Sequence, residues 1–178
     1  MAKKRDFLRP GKLVLDFGCK QDKVEGTLGV DIDPSVGPDL VCDLDRPPYP
    51  FKESSVDVVI GKQIMEHLGD LRKIFREIYR VMKHEGEVLV EVPHFSNFVS
   101  YAEPEHRHAF SYFLFDEIVK LFPCRVVKRE ITFHKFWRLW GIPFLANRFP
   151  ETYERFWTFL FPAENLFFHI EVLKPPAS

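Results

Sequence analysis

Leu13-Val14-Leu15-Asp16-Phe17-Gly18-Cys19, followed by Gly29-Val30-Asp31-Ile32-Asp33, decides the fold. An apolar run ends in an acid and a glycine. A second short apolar run ends in two acids. A parallel nucleotide-binding sheet presents two neighbouring strand ends to a ligand in this way. The glycine lets the backbone approach the ligand, and an acid at the next strand end can accept hydrogen bonds from both ribose hydroxyls. The dinucleotide fingerprint GxGxxG is missing, because Lys20 and Asp22 stand where further glycines are expected. The stretch from Gly18 to Asp31 also leaves little room for a crossover helix, so a turn or a stub is expected there.

Outward from this core, apolar and β-branched runs predict further strands at 39–42, 55–60, 87–92, 124–133 and 165–173. The clearest helix is Asp70 to His84, where Leu71, Ile74, Phe75, Ile78, Val81 and Met82 share one face. Asp70 is a suitable N-cap, and Gly86 can take the left-handed C-terminal position. A second helix is expected from Ser111 to Phe122, stopped by Pro123. Strands alternating with helices imply a parallel α/β sheet with right-handed crossovers. The segment from Pro93 to Glu105 has weak periodicity, and such long irregular segments are usually functional or mobile.

The chain has 178 residues, 46% hydrophobic and 29% charged, which fits one globular domain over 1–178. A net charge of −1 gives no global support for a nucleic-acid partner. Cys19, Cys42 and Cys124 form no CxxC and are expected to be reduced thiols. The basic start Met1-Ala2-Lys3-Lys4-Arg5-Asp6 lacks an apolar region behind it, and no stretch is apolar enough to span a bilayer. A cytoplasmic protein is expected. Aromatic residues, 15% of the chain, concentrate between Phe133 and Phe168.

The order of motifs resembles class I S-adenosylmethionine-dependent methyltransferases. Asp16 and Gly18 match the start of their (D/E)xGxGxG motif. Gly29-Val30-Asp31 resembles the acidic end of their second strand, and Cys42-Asp43-Leu44 the segment after their third. The run from Pro48 to Val59 is similar to "LPFxDxSFDxV", Met65-Glu66-His67-Leu68 to "LEHL", and Glu77 to Gly86 to "EIxRVLKPGG". Residues 18–31 align without gaps to "GCGxxKxxGxxGVD" of a small type 11 subset, with Lys20 replacing a glycine. If that position needs a positive φ, the lysine costs about 1–2 kcal/mol. Its cation could also enter the cofactor pocket.

The resemblance implies a Rossmann-like class I methyltransferase fold: a mostly parallel seven-stranded sheet, its seventh strand antiparallel, with helices on both faces. It implies S-adenosylmethionine as cofactor, bound by Asp16, Gly18, Cys19, Asp31, Ile32, Asp43, Leu44, Gly61, Lys62 and Gln63. Asp31 would hold the ribose and Asp43 the adenine, and residues 61–63 would flank the methionine end. Glu66 and His67 fit either that region or the cap of a short helix.

Glu103-Pro104-Glu105-His106-Arg107-His108-Ala109-Phe110-Ser111 resembles the "DPxHxxxFS" segment of the same subset. Methyl transfer is an in-line displacement, so the enzyme must align the acceptor and, for a hydroxyl, remove a proton. Histidine suits that task near neutral pH. His106 is the first candidate base or acceptor-binding group, with His94 and His108 behind it. His106 and His108 with Glu103 or Glu105 could instead hold a metal, although HxH alone is a weak signal and the expected site contains none. Capping of the following helix or pairing with the glutamates are the plainer alternatives.

An aromatic-rich insertion spans 134–164 and holds all three tryptophans, Trp137, Trp140 and Trp157. A satellite core is its simplest reading. An apolar acceptor lid or a homo-oligomer contact comes next. Membrane contact is disfavoured, since Glu151, Glu154 and Glu164 balance the basic residues. The expected activity is methyl transfer to a small-molecule acceptor, with no nucleic-acid partner and no integral membrane segment. The alternative is a degenerate, non-catalytic binding or interaction module.

Overall fold

The computed structural model describes residues 11–175, so the basic start Met1–Asp6 falls outside the described residues. Seven strands form one sheet: β1 Val14–Phe17, β2 Leu28–Asp31, β3 Leu40–Val41, β4 Val56–Lys62, β5 Met82–Pro93, β6 Cys124–Ile131 and β7 Asn165–Val172. Their order is β3-β2-β1-β4-β5-β7-β6. The first five run parallel, and β7 lies antiparallel between β5 and β6. The order reverses at β1, whose two neighbours are β2 and β4. Ligands of open α/β sheets bind in the crevice outside the carboxyl ends of the strands at such a switch point.

The expected sheet is present, but its cover is uneven. Leu15, Phe17, Val30, Val59, Val88, Val90, Leu166, Phe168 and Ile170 project to one face. There they pack with α1 (Leu71–Val81) through Ile74, Phe75 and Ile78, and, beyond the short α2 (Val99–Ala102), with α3 (Leu114–Val119) through Phe115 and Ile118. Among the described residues, the opposite face holds a small apolar group, Val14, Val58 and Ile60 with Val24 and Leu89 beside it. Among the described residues, no helix contributes to that group. The cause is the missing crossovers. Residues 18–27 form turns, and the β2–β3 connection has a single 3-10 turn, Pro34–Val36.

Asp70 caps α1 as expected, accepting the Arg72 and Lys73 N–H groups. The other end differs from the sequence expectation. The chain leaves the helix at an extended Met82, and the left-handed residue is Glu85 at φ 57°, not Gly86. Gly86 serves packing instead, since a Cβ there would lie 2.6 Å from Met82 Cε. The second predicted helix shrinks to α3, and Ser111 does not cap it. The Ser111 hydroxyl donates to Glu154 Oε2 at 2.7 Å. No helix among the described residues is long and apolar enough to cross a membrane.

One polar tie holds the long β3–β4 connection against α1. Glu77 Oε1 accepts the Tyr49 N–H at 2.7 Å, and the Arg80 guanidinium donates to Glu77 and to the Tyr49 and Phe51 carbonyls. Arg80 beside it holds the Glu77 carboxyl below the usual range, against the effect of burial. Removing one partner leaves the other groups without theirs. Glu77→Ala is expected to lower the unfolding free energy by about 2–3 kcal/mol, read as a fall in the urea midpoint at unchanged slope.

Candidate functional site

The parallel topology brings the ends of β1 to β5 to one edge, and the β7 antiparallel register adds the start of β7 through Pro93↔Asn165. The β1–β2 loop is shaped there by two carboxylates. Gly18, at φ 63°, donates its N–H to Val30 O at 2.8 Å. Asp16 Oδ2 accepts the Val24 N–H at 2.8 Å, and Asp31 accepts the N–H groups of Lys20 at 3.0 Å and Asp33 at 3.1 Å. Burial pushes the Asp16 carboxyl up, partly offset by the Val24 N–H. Lys20 does take a positive φ, 46°. Its side chain is exposed, and its charge reaches Glu66 and His67 on the β4 side of the cleft.

These residues fit an adenosine-like ligand in part. Each Asp31 oxygen accepts one backbone N–H, which leaves acceptor capacity for a ribose diol. Ile32 beside it is 62% exposed, an apolar platform suited to a flat base. Asp43 accepts the Asp45 N–H at 2.9 Å and pairs with Arg46 at 3.1 Å. Two expected cofactor residues sit otherwise. Leu44 is buried in the main core, and Cys19 is buried against Gly29. Both side chains serve packing, which leaves their backbones as the groups able to face a ligand. Gly61 lies in β4 beside Phe17 of β1, Lys62 is exposed, and Gln63 turns the chain away at φ 52°.

Across the cleft, the turn after β4 builds a second constellation. Met65 and Leu68 are buried and anchor it, which carries Glu66 inward to 1% exposure. Neither Glu66 carboxylate oxygen has a hydrogen-bond partner, and burial pushes its carboxyl up to about 7. Segment 103–108 lies on this turn. The Arg107 N–H donates to Glu66 O at 2.7 Å, and His108 Nε2 bonds Gly69 O at 2.8 Å. Asp45 ties both loops, accepting from the Gly69 N–H at 2.6 Å and Arg107 at 3.1 Å. His106 is thereby set against His67, with ring centroids 4.8 Å apart. His106 Nε2 lies 3.2 Å from Glu103 Oε2, and its Nδ1 is buried without a partner. Glu66, His67 and His106 each offer one ligand atom, all within 4.8 Å of one another, so these three could hold a cation.

The three expected histidines therefore separate. His106 enters the cluster. His108 is spent on the Gly69 carbonyl. His94 is fully buried at the end of β5, where Nδ1 accepts the Ser96 N–H at 3.0 Å and Nε2 faces Glu154 Oε1 at 3.2 Å. It acts as a strut between β5 and the insertion. Sequence spacing pairs His106 with His108, because a loop's residue spacing is visible and its folding onto another loop is not. Glu66 and His67 were visible only as part of the "LEHL" resemblance.

The insertion forms α4 (Lys135–Arg138), α5 (Ile142–Arg148) and a turn running into a π-helical segment, Tyr153–Trp157. It rises from the same sheet edge as the cleft. Ile142, Leu145, Phe149, Tyr153, Trp157 and Phe161 line an apolar groove of about 310 Å³. Leu139, Trp140, Phe144 and Phe159 are 70–85% exposed.

A family model described as a methyltransferase domain matches residues 17–90. A probable S-adenosylmethionine-dependent methyltransferase of Mycobacterium tuberculosis is 41% identical over 44 residues, 25% of this chain and 16% of that protein. Among solved structures, a SAM-dependent methyltransferase from Archaeoglobus fulgidus aligns with TM-score 0.71 at 19% identity, over 93% of this chain and 88% of that one. Phosphoethanolamine N-methyltransferase 2 of Haemonchus contortus, solved with phosphomonomethylethanolamine and S-adenosylhomocysteine, aligns with TM-score 0.62 at 18% identity, over 93% and 49%. At such identities the structures establish the fold alone: this chain has the seven-stranded sheet fold that those SAM-dependent methyltransferases share.

The Glu154 strut makes a pH prediction. Burial raises its carboxyl, but His94, the Tyr112 N–H and the Ser111 hydroxyl outweigh this and hold it below the ordinary value. A lowered carboxyl stabilises the fold above the unfolded value of about 4.5, and that stabilisation is lost as pH falls through the folded value. Glu154→Gln should cost about 1–3 kcal/mol at pH 7, with the gap to wild type closing as the medium is acidified. Urea melts at stepped pH measure this. A gap of constant size would show that the charge contributes nothing.

Proposed function

We propose that this chain is a class I S-adenosylmethionine-dependent methyltransferase, as its sheet order and the domain matched at 17–90 support, and that it transfers a methyl group to a small-molecule acceptor seated against Glu66, His67 and His106. One observation carries the reading. The same sheet edge presents a ribose-competent carboxylate, Asp31, on one side of the switch point and buried, unpartnered polar atoms on the other.

When bound, S-adenosylmethionine supplies an electrophilic methyl carbon on a positively charged sulfur. Asp31 would accept the ribose hydroxyls, Ile32 would support the adenine ring and Asp43 would take its amino group. Gly18, against which the Ile64 side chain packs, would offer its backbone, and Gly61, Lys62 and Gln63 would flank the methionine end. On the acceptor side, Glu66 and His106 have free buried atoms that can orient a hydroxyl or amine and receive its proton. The exposed aromatic insertion is suited to closing over an apolar acceptor and excluding water, or to meeting a second copy of the chain. The Haemonchus enzyme, solved with a small phosphorylated amine, supports a small acceptor on this fold. Lys20 does not favour the non-catalytic alternative. Its strained backbone serves Asp31, and its exposed side chain leaves the pocket, adding only a long-range positive charge at Glu66.

S-adenosylhomocysteine should raise the melting temperature, since a ligand that binds only the native state stabilises it by about 2.7 kcal/mol at a hundredfold excess over Kd. Asp31→Ala should remove most of that shift. An absent shift in the wild-type chain at saturating ligand would sink the proposal.

A further inference from the structure

We infer that Glu66, His67 and His106 bind a divalent transition-metal cation of the zinc class, with Glu103 orienting His106 from outside the coordination sphere. The inference extends the methyl-transfer reading of the same cleft. The use made of the cation rests on that reading, but its binding does not.

The first support is the pair of orphaned groups. A buried carboxylate and a buried imidazole nitrogen, both without hydrogen-bond partners, belong to one cluster with His67. Native proteins rarely leave such groups unpaired, because each costs about 1–3 kcal/mol in lost solvation. A cation at their centre would satisfy both. Two histidines and a glutamate are also a recurring donor set of catalytic zinc, which keeps a fourth position open.

The second support is the orientation of His106. Its unpartnered atom is Nδ1, while Nε2 lies 3.2 Å from Glu103 Oε2. Histidine ligands characteristically donate their other ring N–H to a carboxylate, which fixes the tautomer and raises ligand basicity. Glu103 is half exposed while the His106 side chain is 3% exposed, so the carboxylate sits outside and the free nitrogen inside. The local charge agrees: Glu91 and Glu103 add negative charge at Glu66, opposed by Lys20.

The ligand atoms are within 4.8 Å of one another. Tetrahedral zinc with bonds of about 2.1 Å places its ligands roughly 3.4 Å apart. The ligand atoms must therefore close from at most 4.8 Å to roughly 3.4 Å on binding. The cation's open position would then hold an acceptor oxygen and lower its pKa, so that its proton leaves to solvent rather than to Glu66 or His106, whose lone pairs the cation takes. The sequence pairing of His106 with His108 is replaced by His106 with His67, and Glu103 moves from ligand to support.

The test is a zinc titration of the intact chain followed by calorimetry, with cobalt substitution as a spectroscopic probe of coordination. One equivalent should bind. Glu66→Gln and His106→Ala should each weaken binding at least tenfold, and His108→Ala should not. Glu103→Gln, at an exposed side chain that leaves the core intact, should weaken it about tenfold and perturb the cobalt spectrum. It serves where the buried variants fail to fold. Absent binding, or binding indifferent to Glu66, His106 and Glu103, overturns the inference. The S-adenosylhomocysteine melting shift is read in parallel. A retained shift without zinc binding leaves methyl transfer standing and removes only the cation. Zinc binding without that shift does the reverse.

Discussion

The structure depends on what two carboxylates do in the absence of a helix. A doubly wound sheet ordinarily spans from its first to its second strand with a crossover helix, and the N-terminus of that helix satisfies the glycine loop. Here ten residues, 18–27, make the crossing as turns. Their amides need acceptors, and Asp16 and Asp31 provide them at the ends of β1 and β2. Lys23 and Asp39 add a third clasp, in which Asp39 also accepts the Gly29 N–H at 2.7 Å. The ligand-facing acid is therefore also a structural acid. Asp31 cannot move without loosening Lys20, and the strained Lys20 backbone is held because its N–H is needed there. A left-handed non-glycine residue costs about 1–2 kcal/mol, which a hydrogen bond to a charged group offsets.

The same economy shapes the other side of the cleft. Asp45 binds the Gly69 amide and Arg107, and through them fixes the turn after β4 to the segment before α3. Arg80 and Glu77 fix the β3–β4 connection that carries Asp43 and Asp45. The cluster at Glu66 is thus placed by three loops, none of which has regular structure. Loops of this kind are rigid only through such ties, so the site inherits its precision from side chain–backbone bonds at residues that touch no ligand.

What the sequence made legible follows from the range of the forces involved. Period-two and period-3.6 apolar patterns are local, and they located the strands and α1. The Asp70 cap is also local and was readable. The end of α1 was not, because Gly86 answers to packing against Met82. The thinly covered second sheet face was only half visible. The short Gly18–Asp31 spacing showed that a helix was missing, and the family resemblance nonetheless suggested cover on both faces. His94, His106 and His108 look equivalent in sequence. They differ only in tertiary surroundings: a core strut to Glu154, a cleft-facing ring, and a clamp on Gly69.

Local rules that fail in a folded chain tend to fail at functional sites, and two failures here lie together. Lys20 occupies a glycine conformation, and Glu66 is a buried carboxyl without a partner. Folding alone would be served by glycine at the first position and by an apolar side chain at the second. Their charges interact across the cleft, yet Lys20 remains exposed and makes no hydrogen bond to Glu66. The lysine therefore balances charge without satisfying the carboxylate. The unmet requirement at Glu66 and at His106 Nδ1 is for a donor or a cation between them, and the cleft between the strand ends is the side from which one can enter.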